Sequence, residues 1–212
     1  MDFFNDLTVS DADFQRLVDF IQKNYGIDLS KKRALITGRL SHALKQKGYT
    51  KLDPFLNHLF TTRDPADLEL VLNKLTTNYT YFLREKDHFT FFQSHILPEL
   101  VKKHQRDHTL SIWSAGCSSG EEPYTLSIYL KDFFGSQASL WDTRVLATDI
   151  SQQALAKAQA GVYQLPADMP QQWLKQYFVK QVDSTLYTVA PVIRIESGIY
   201  LFYSILSTKC VL

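Results

Sequence analysis

Apolar residues recur at helical intervals over the first 75 or so positions, in four short runs, and the rhythm then changes. Phe14, Leu17, Val18 and Ile21 fall at i, i+3, i+4 and i+7, one face of a helix. Ser10 is placed to cap that helix, Asp13 completes a capping-box-like arrangement, and Gly26 suits the stop. A second run, from about Ser30 to Lys47, carries Ile36, Leu40, Ala43 and Leu44 as its stripe and ends at Gly48. Asp53-Pro54 and Asp64-Pro65 both read as an N-cap followed by proline at the first helical position. The second of these opens a helix with Leu68, Val71, Leu72 and Leu75. Four short amphipathic helices predict a small helical domain.

After Asn78 the texture is different. Residues 85–104 predict a helix with Phe89, Phe92 and Ile96 on one face. LSIWSAG is a short β-type run ending in glycine, and SSGEEPYTLSIYLKDFF follows as a helix. TRVLATDIS is a second strand and SQQALAKAQA a second helix. Strand, helix, strand, helix at this spacing signals a parallel sheet in an α/β domain. QYFVKQ and LYTVAPVIRI, within 176–196, predict a small antiparallel hairpin region, and GIYLFYSILSTKCVL is apolar and strand-like.

Composition narrows the class. The 212 residues are 45% hydrophobic, enough for a core in one or two domains. A net charge of +1 excludes a globally basic nucleic-acid binder. The N-terminus lacks the basic and apolar regions of a secretory signal, and no apolar run approaches the length of a membrane span. Cys117 and Cys210 are too few for a disulfide framework or a four-ligand zinc site, so no metal is expected and the expected location is the cytoplasm. The charge is uneven, however. Residues 1–20 carry five Asp and one Arg, whereas residues 21–50 carry Lys23, Lys31, Lys32, Arg33, Arg39, Lys45 and Lys47 against Asp28 alone.

Three stretches carry candidate chemistry. The first is the strand-to-helix junction Ala115-Gly116-Cys117-Ser118-Ser119-Gly120, whose small residues let a ligand approach the backbone. Its glycine spacing is not that of a dinucleotide loop, and no lysine follows as a phosphate loop requires. Glu121 and Glu122 open the helix instead; they repel a pyrophosphate and suit a cationic or hydroxyl-rich ligand, or they simply complement the helix dipole of an ordinary turn. The second is Asp149, at the end of the second strand. It reads either as an acceptor for ribose hydroxyls or as a helix cap, with Ser151 as the competing cap. Together the two stretches favour a nucleoside-containing ligand without phosphates, a description that S-adenosylmethionine fits. The third is Asn78-Tyr79-Thr80-Tyr81-Phe82-Leu83-Arg84-Glu85, in which Arg84 can pair with a ligand carboxylate or serve in a plain interdomain linker.

Asn78-x-Thr80-x-Phe82-x-Arg84-Glu85, then IWSAGCSSGEEPYTLSI, then LATDIS with Ala158, Gly161, Val162 and Tyr163 following, together resemble the chemotaxis receptor glutamate methyltransferases, the CheR family. The segment with Gly26, Ile27 and Leu29 and the basic helix after it is also similar to that family. The resemblance covers roughly residues 10–190. It implies an α/β fold class: an N-terminal helical domain at 1–76, then a Rossmann-like S-adenosylmethionine-dependent methyltransferase domain at 77–212 with a small antiparallel subdomain at about 170–198. In some members that subdomain docks a receptor tail peptide.

The resemblance also implies roles. Asn78, Thr80 and Arg84 contact the methionine part of the cofactor, Arg84 near its carboxylate and as the catalytic-site residue. Ala115, Gly116, Cys117 and Gly120 belong to the close loop, Glu121 is a cofactor contact with Glu122 its neighbour, and Asp149 holds the ribose. The product is S-adenosylhomocysteine, and the acceptors are glutamates on receptor cytoplasmic helices. A glutamate with an ordinary pKa of about 4.3 is ionised at neutral pH, so no general base is required. None of the six histidines is needed. Lys31, Lys32, Arg39 and Lys45 form either a solvated face or, as the resemblance favours, a landing strip for acidic receptor helices.

One departure stands out. The family continues through a third strand with an Asn-Leu pair and a later R-N-V-L-I-Y-F-like strand; here the third-strand region reads GIYLFYSILST and no such run follows. A catalytic domain lacking these elements predicts a half-built adenine pocket, weak or absent cofactor binding, compromised activity, and an uncovered sheet edge through which the chain either dimerises, exchanges elements, or is only partly ordered. The competing expectation is a non-catalytic module, derived from the family, that still binds receptor or partner helices.

Overall fold

The computed structural model describes residues 7–194 and the backbone of residues 199–203. It divides into two compact units, the first ending at Thr77 and the second beginning at Asn78.

The first unit is helical. α1 (Asp11–Tyr25) begins where Ser10 accepts a hydrogen bond from the Asp13 N–H and stops at Gly26, which is left-handed. Its Phe14, Leu17, Val18 and Ile21 are buried. α2 (Arg33–Gln46) buries Ile36, Leu40, Ala43 and Leu44. The basic residues Lys31 and Lys32 therefore precede the helix rather than sit in its first turn, because the Asp28 carboxylate accepts the Ser30 N–H at 2.8 Å and sets a separate turn there. α3 (Leu52–Thr62) begins one residue before Asp53. Thr8 explains the shift: its N–H reaches the Thr50 carbonyl and its carbonyl accepts the Leu52 N–H, so Lys51 stays extended and the helix starts at once. Asp53 is thereby free for another task, accepting a hydrogen bond from Arg16 at 2.8 Å. In α4 (Pro65–Leu75) Asp64 is the N-cap, accepting from the Ala66 and Asp67 N–H groups, with Pro65 at the first position.

The second unit opens with α5 (Lys86–Phe91), a π-helical turn over Phe92–Ile96 and α6 (Leu97–Lys103). Then come β1 (Ile112–Ala115), α7 (Glu121–Phe134), β2 (Val145–Asp149) and α8 (Gln152–Ala160). They are followed by β3 (Val162–Tyr163), α9 (Gln171–Tyr177), β4 (Phe178–Lys180), β5 (Tyr187–Val189) and β6 (Ile199–Tyr203). Two sheets result. The first is parallel, in the order β1-β2-β6, with Ile112 opposite Val145 and Val145 opposite Ile199. The second is antiparallel, in the order β3-β5-β4. The small sheet and α9 thus lie within the crossover that carries the chain from β2 to β6.

Tyr124 and Ile128 of α7, Leu155 of α8, and Val145 and Ala147 of β2 belong to one buried cluster, so these helices cover that face of the parallel sheet. On the other face Trp113 is 62% exposed and Leu146 41% exposed.

The region expected as a hairpin over 176–196 is shorter than its alternation implied, because α9 continues through Tyr177. Trp173 Nε1 and the Tyr177 hydroxyl both donate to the Asp132 carboxylate of α7, at 2.7 and 2.5 Å, and hold 171–177 in a helix. Pro191–Ile193 forms a tight helical turn beyond β5. The strand predicted in GIYLFYSILST is β6; the residues after Tyr203, including Cys210, lie outside the described residues.

One ion pair within the helical unit has a buried carboxylate. Asp67 is 4% exposed and accepts the Lys47 ammonium at 2.6 Å, with His58 Nε2 at 3.5 Å. The hydrogen bond to Asp67 raises the Lys47 pKa above its usual 10.5. A cation whose pKa rises on folding stabilises the fold below its unfolded value and loses that contribution as pH climbs through the folded one. Lys47 remains partly in solvent, which limits the gain. Asp67→Asn is expected to lower stability by about 1–2 kcal/mol at neutral pH, read as a lower urea midpoint at unchanged slope. The difference should persist to pH 10.5 and narrow beyond it.

Candidate functional site

The junction between β1 and α7 is held by β2. The Gly116 and Cys117 N–H groups both donate to the Thr148 carbonyl, at 2.8 and 2.9 Å, so the loop stays against β2 after the strand ends. Ser118 then takes a left-handed conformation, φ 51°, uncommon for a residue with a side chain. Two hydrogen bonds hold it there. Its N–H donates to Asp149 Oδ2 at 2.7 Å, and its hydroxyl donates to the Asn78 carbonyl at 2.8 Å.

Gly120 closes the loop at φ 98°, and only glycine fits. A Cβ there would stand 2.7 Å from the Ala158 Cβ, 3.0 Å from its Cα and 2.9 Å from the Tyr163 hydroxyl. Gly116 is the opposite case: at φ 82° its missing Cβ would meet nothing within 4 Å. Ala115 and Gly116 are exposed, so this is the open side of the loop.

Asp149 is 8% exposed. Its Oδ1 accepts the Ser151 N–H at 2.8 Å and its Oδ2 the Ser118 N–H. Ser151, not Asp149, caps α8, accepting the Ala154 N–H at 3.1 Å. Each carboxylate oxygen of Asp149 keeps a second lone pair. Glu121 is buried and accepts the Ser119 hydroxyl at 2.7 Å; Glu122 is exposed and accepts the Ser114 hydroxyl at 2.6 Å. The Cys117 thiol is buried, and burial, then the Asp149 charge, pushes its pKa up to about 12. It stays a neutral thiol and contributes its backbone rather than a nucleophile.

In the segment 78–85, Phe82 is buried edge-on against Tyr163 and Phe178, with ring centroids 5.0 and 5.4 Å apart. Asn78 and Thr80 are half-buried and Arg84 is exposed. Arg84 Nη1 donates to the Tyr79 carbonyl at 3.2 Å, and among the described residues the guanidinium forms no ion pair. Leu83 and Glu85, on either side of it, are both left-handed, with φ 63° and 56°.

The structure therefore brings together Asn78, the loop from Ala115 to Glu121, and Asp149, with Ser118 touching both of the others. Arg84 joins them through its hold on the residue next to Asn78. Ser118 reads in the sequence only as one of the loop's small residues and Tyr163 only as part of the family resemblance; their contacts to Asp149, Asn78 and Ser119 are the structure's addition. A left-handed serine has no sequence signature, and the hydroxyl of Tyr163 finds its partner only after the fold has formed.

The basic residues of the helical unit divide differently. Lys31, Lys32 and Lys45 are exposed. Arg39 is engaged within the unit: its Nη1 donates to the Thr76 carbonyl at 3.0 Å, with the Lys74 carbonyl and the Thr77 hydroxyl each at 3.4 Å. The unsatisfied carbonyls ending α4 attract a cation and occupy it. Arg33 is likewise committed, to Asp11 and to the Val9 carbonyl.

The groups of the β1–α7 loop and Asp149 offer carboxylate acceptors beside an open, close-approach backbone, with no lysine among them. That set suits hydroxyls and a cationic centre and disfavours phosphate, which is the chemistry of a sulfonium nucleoside. The fold and site define a methyl-donor-binding α/β domain. Comparison with known proteins agrees: residues 78–196 match the family model for the CheR methyltransferase SAM binding domain, and residues 12–76 match that for the CheR methyltransferase all-alpha domain. The chain belongs to the CheR methyltransferase family. It is 36% identical over 195 residues to a chemotaxis protein methyltransferase of Borreliella burgdorferi, covering 89% of this chain and 68% of that protein. It is 35% identical over 178 residues to a chemotaxis protein methyltransferase of Escherichia coli, covering 82% and 59%. With chemotaxis protein methyltransferase 1 of Pseudomonas aeruginosa the figures are 34% over 160 residues, 74% and 58%. The chain thus spans between 58% and 68% of the length of these relatives. No helix among the described residues is long and apolar enough to cross a membrane.

Gly120→Ala tests the loop geometry. The strained φ and the clash with the Ala158 backbone should together cost about 2–4 kcal/mol, read as a lower melting temperature. A variant as stable as the wild type would show that the loop does not pack against α8 as described.

Proposed function

We propose that this chain serves a protein-glutamate O-methyltransferase: it binds S-adenosylmethionine, and the methyl group goes to glutamate side chains on the cytoplasmic helices of chemotaxis receptors, leaving S-adenosylhomocysteine. The observation that carries the reading is the junction at Ser118, which ties the Asn78 segment and Asp149 to one loop whose Ala115–Gly116 side is open. When bound, the donor supplies an electrophilic methyl group on a sulfonium centre.

The chain's own residues bind and orient. The remaining lone pairs of Asp149 accept the ribose hydroxyls. Glu121 and Glu122 place negative charge at the start of α7, where a cationic ligand is stabilised. Arg84, exposed and without an ion pair among the described residues, takes the carboxylate of the methionine part, with Asn78 and Thr80 on the same segment. Ala115, Gly116, Cys117 and Gly120 let the ligand lie against backbone. The acceptor glutamate is already ionised at neutral pH, so the site needs no general base and its contribution is alignment of the two reactants. Lys31, Lys32 and Lys45 draw acidic receptor helices toward the helical unit, while Arg39 secures the end of α4.

Titration of S-adenosylhomocysteine into the isotopically labelled chain is expected to give saturable NMR shifts at the Gly116 and Gly120 amides. Gly116→Ala puts a methyl into the open side of the loop and costs the fold only about 1 kcal/mol of backbone strain. It should weaken binding at least ten-fold. Shifts that never saturate, or equal binding by the variant, would refute the donor site.

For the receptor, Lys31→Glu with Lys32→Glu should weaken association with a receptor cytoplasmic fragment several-fold at low salt, with the difference shrinking at high salt. An affinity insensitive to both changes rules out the electrostatic landing strip.

A further inference from the structure

Tyr163 is the second residue of β3, so it is anchored in the small antiparallel sheet, opposite Tyr187 of β5. The anchor is reinforced one residue earlier in β3 by Val162 opposite Thr188, and just before the strand by the Val189 N–H donating to the Gly161 carbonyl at 2.8 Å. From that position the Tyr163 ring passes between Phe82 and Tyr124, edge-on to both, with centroids 5.0 and 5.9 Å away. Its hydroxyl ends 2.6 Å from the Ser119 carbonyl, to which it donates. Burial raises the hydroxyl's pKa far above the usual tyrosine range, so it remains a donor wherever the protein is folded.

The Ser119 carbonyl belongs to the same rigid peptide plane as the Gly120 N–H. Fixing one end of that plane fixes the other, and the Gly120 N–H donates to the Cys117 carbonyl at 3.0 Å, closing the turn around Ser118. A rotation of this plane would open the turn and loosen the left-handed Ser118, whose N–H meets Asp149. The same hydroxyl also occupies the space that a Cβ on Gly120 would need.

We propose that Tyr163 is a positioning residue for the donor loop, through which the small antiparallel sheet holds the Ser119–Gly120 peptide in its binding conformation. The proposal rests on the functional reading above only in calling this loop the donor loop. Tyr163 touches loop backbone and neighbouring rings; it is not placed on the donor or the reacting atoms.

The test compares two single-hydroxyl deletions in the full chain. Tyr163→Phe keeps the ring and its edge-on contacts and removes the bond to Ser119. Tyr124→Phe removes another buried-tyrosine hydroxyl, which donates to the Ala158 carbonyl at 2.8 Å rather than to the loop. Amide hydrogen exchange in the ligand-free proteins is read at Ser118 and Gly120, alongside S-adenosylhomocysteine affinity. Tyr163→Phe is expected to speed exchange at both amides about ten-fold and to weaken binding five- to ten-fold, with Tyr124→Phe near wild type in both (changes at the level of one lost hydrogen bond). Unchanged loop exchange in Tyr163→Phe, or equal loosening by Tyr124→Phe, overturns the proposal. If the exchange contrast is present and the wild type takes up no S-adenosylhomocysteine, the bracing stands and the functional reading fails instead.

Discussion

The second unit depends on one buried carboxylate. Asp149 ends β2, and its two oxygens accept backbone N–H groups from two different loops, Ser118 after β1 and Ser151 before α8. Hydrogen bonds to an ionised acceptor are stronger than neutral ones, and these lie where water competes poorly. Asn in its place would keep one acceptor oxygen and turn an NH2 group toward the other N–H, and a side chain without oxygen would leave both N–H groups without their acceptor, a loss the fold resists. The bond to Ser118 ties the loop after β1 to the end of β2, at the strand ends where open α/β sheets bind ligands.

Of the six left-handed residues with side chains among the described residues, three lie at the candidate site, Ser118 in the β1–α7 loop and Leu83 and Glu85 on either side of Arg84, while Arg63, His108 and Asp183 lie elsewhere. Each such conformation costs on the order of 1–2 kcal/mol and persists only where the surroundings over-determine it. The restraints are visible: two hydrogen bonds on Ser118, and for the 82–85 bend the aromatic contacts of Phe82 with Tyr163 and Phe178.

Local structure was legible where a residue's task is set by its neighbours in the chain. The Ser10 cap, the stop at Gly26, the Asp64-Pro65 helix start and the alternation of strand and helix after Leu110 all depend on residues within a few positions, and the structure has them. The failures share a cause too. Asp53 looked like a cap, but a pairing between Thr8 and the segment before α3 moved the helix start. Residues 176–177 alternated like a strand, but Asp132, over 40 positions earlier, holds them in α9. That Arg39 meets the carbonyls ending α4 depends likewise on a segment more than 30 positions away. For the site, Asp149 and the small-residue loop were visible as types at strand ends. That Ser118 joins them could not be read, because both of its partners are more than 30 positions away.

The insertion of the small sheet into the β2-to-β6 crossover orders events in time. The brace on Ser119 comes from a residue 44 positions further along the chain, and that residue is fixed only once β5 has paired with β3. Closing so long a span has an entropic penalty before any contact offsets it, and such contacts form late. A growing polypeptide therefore lays down β1, α7 and β2 with the bend between β1 and α7 still slack, and the bend tightens only when the residues around Val189 arrive. Maturation of this bend is in that sense coupled to synthesis of a segment about 70 residues downstream of it.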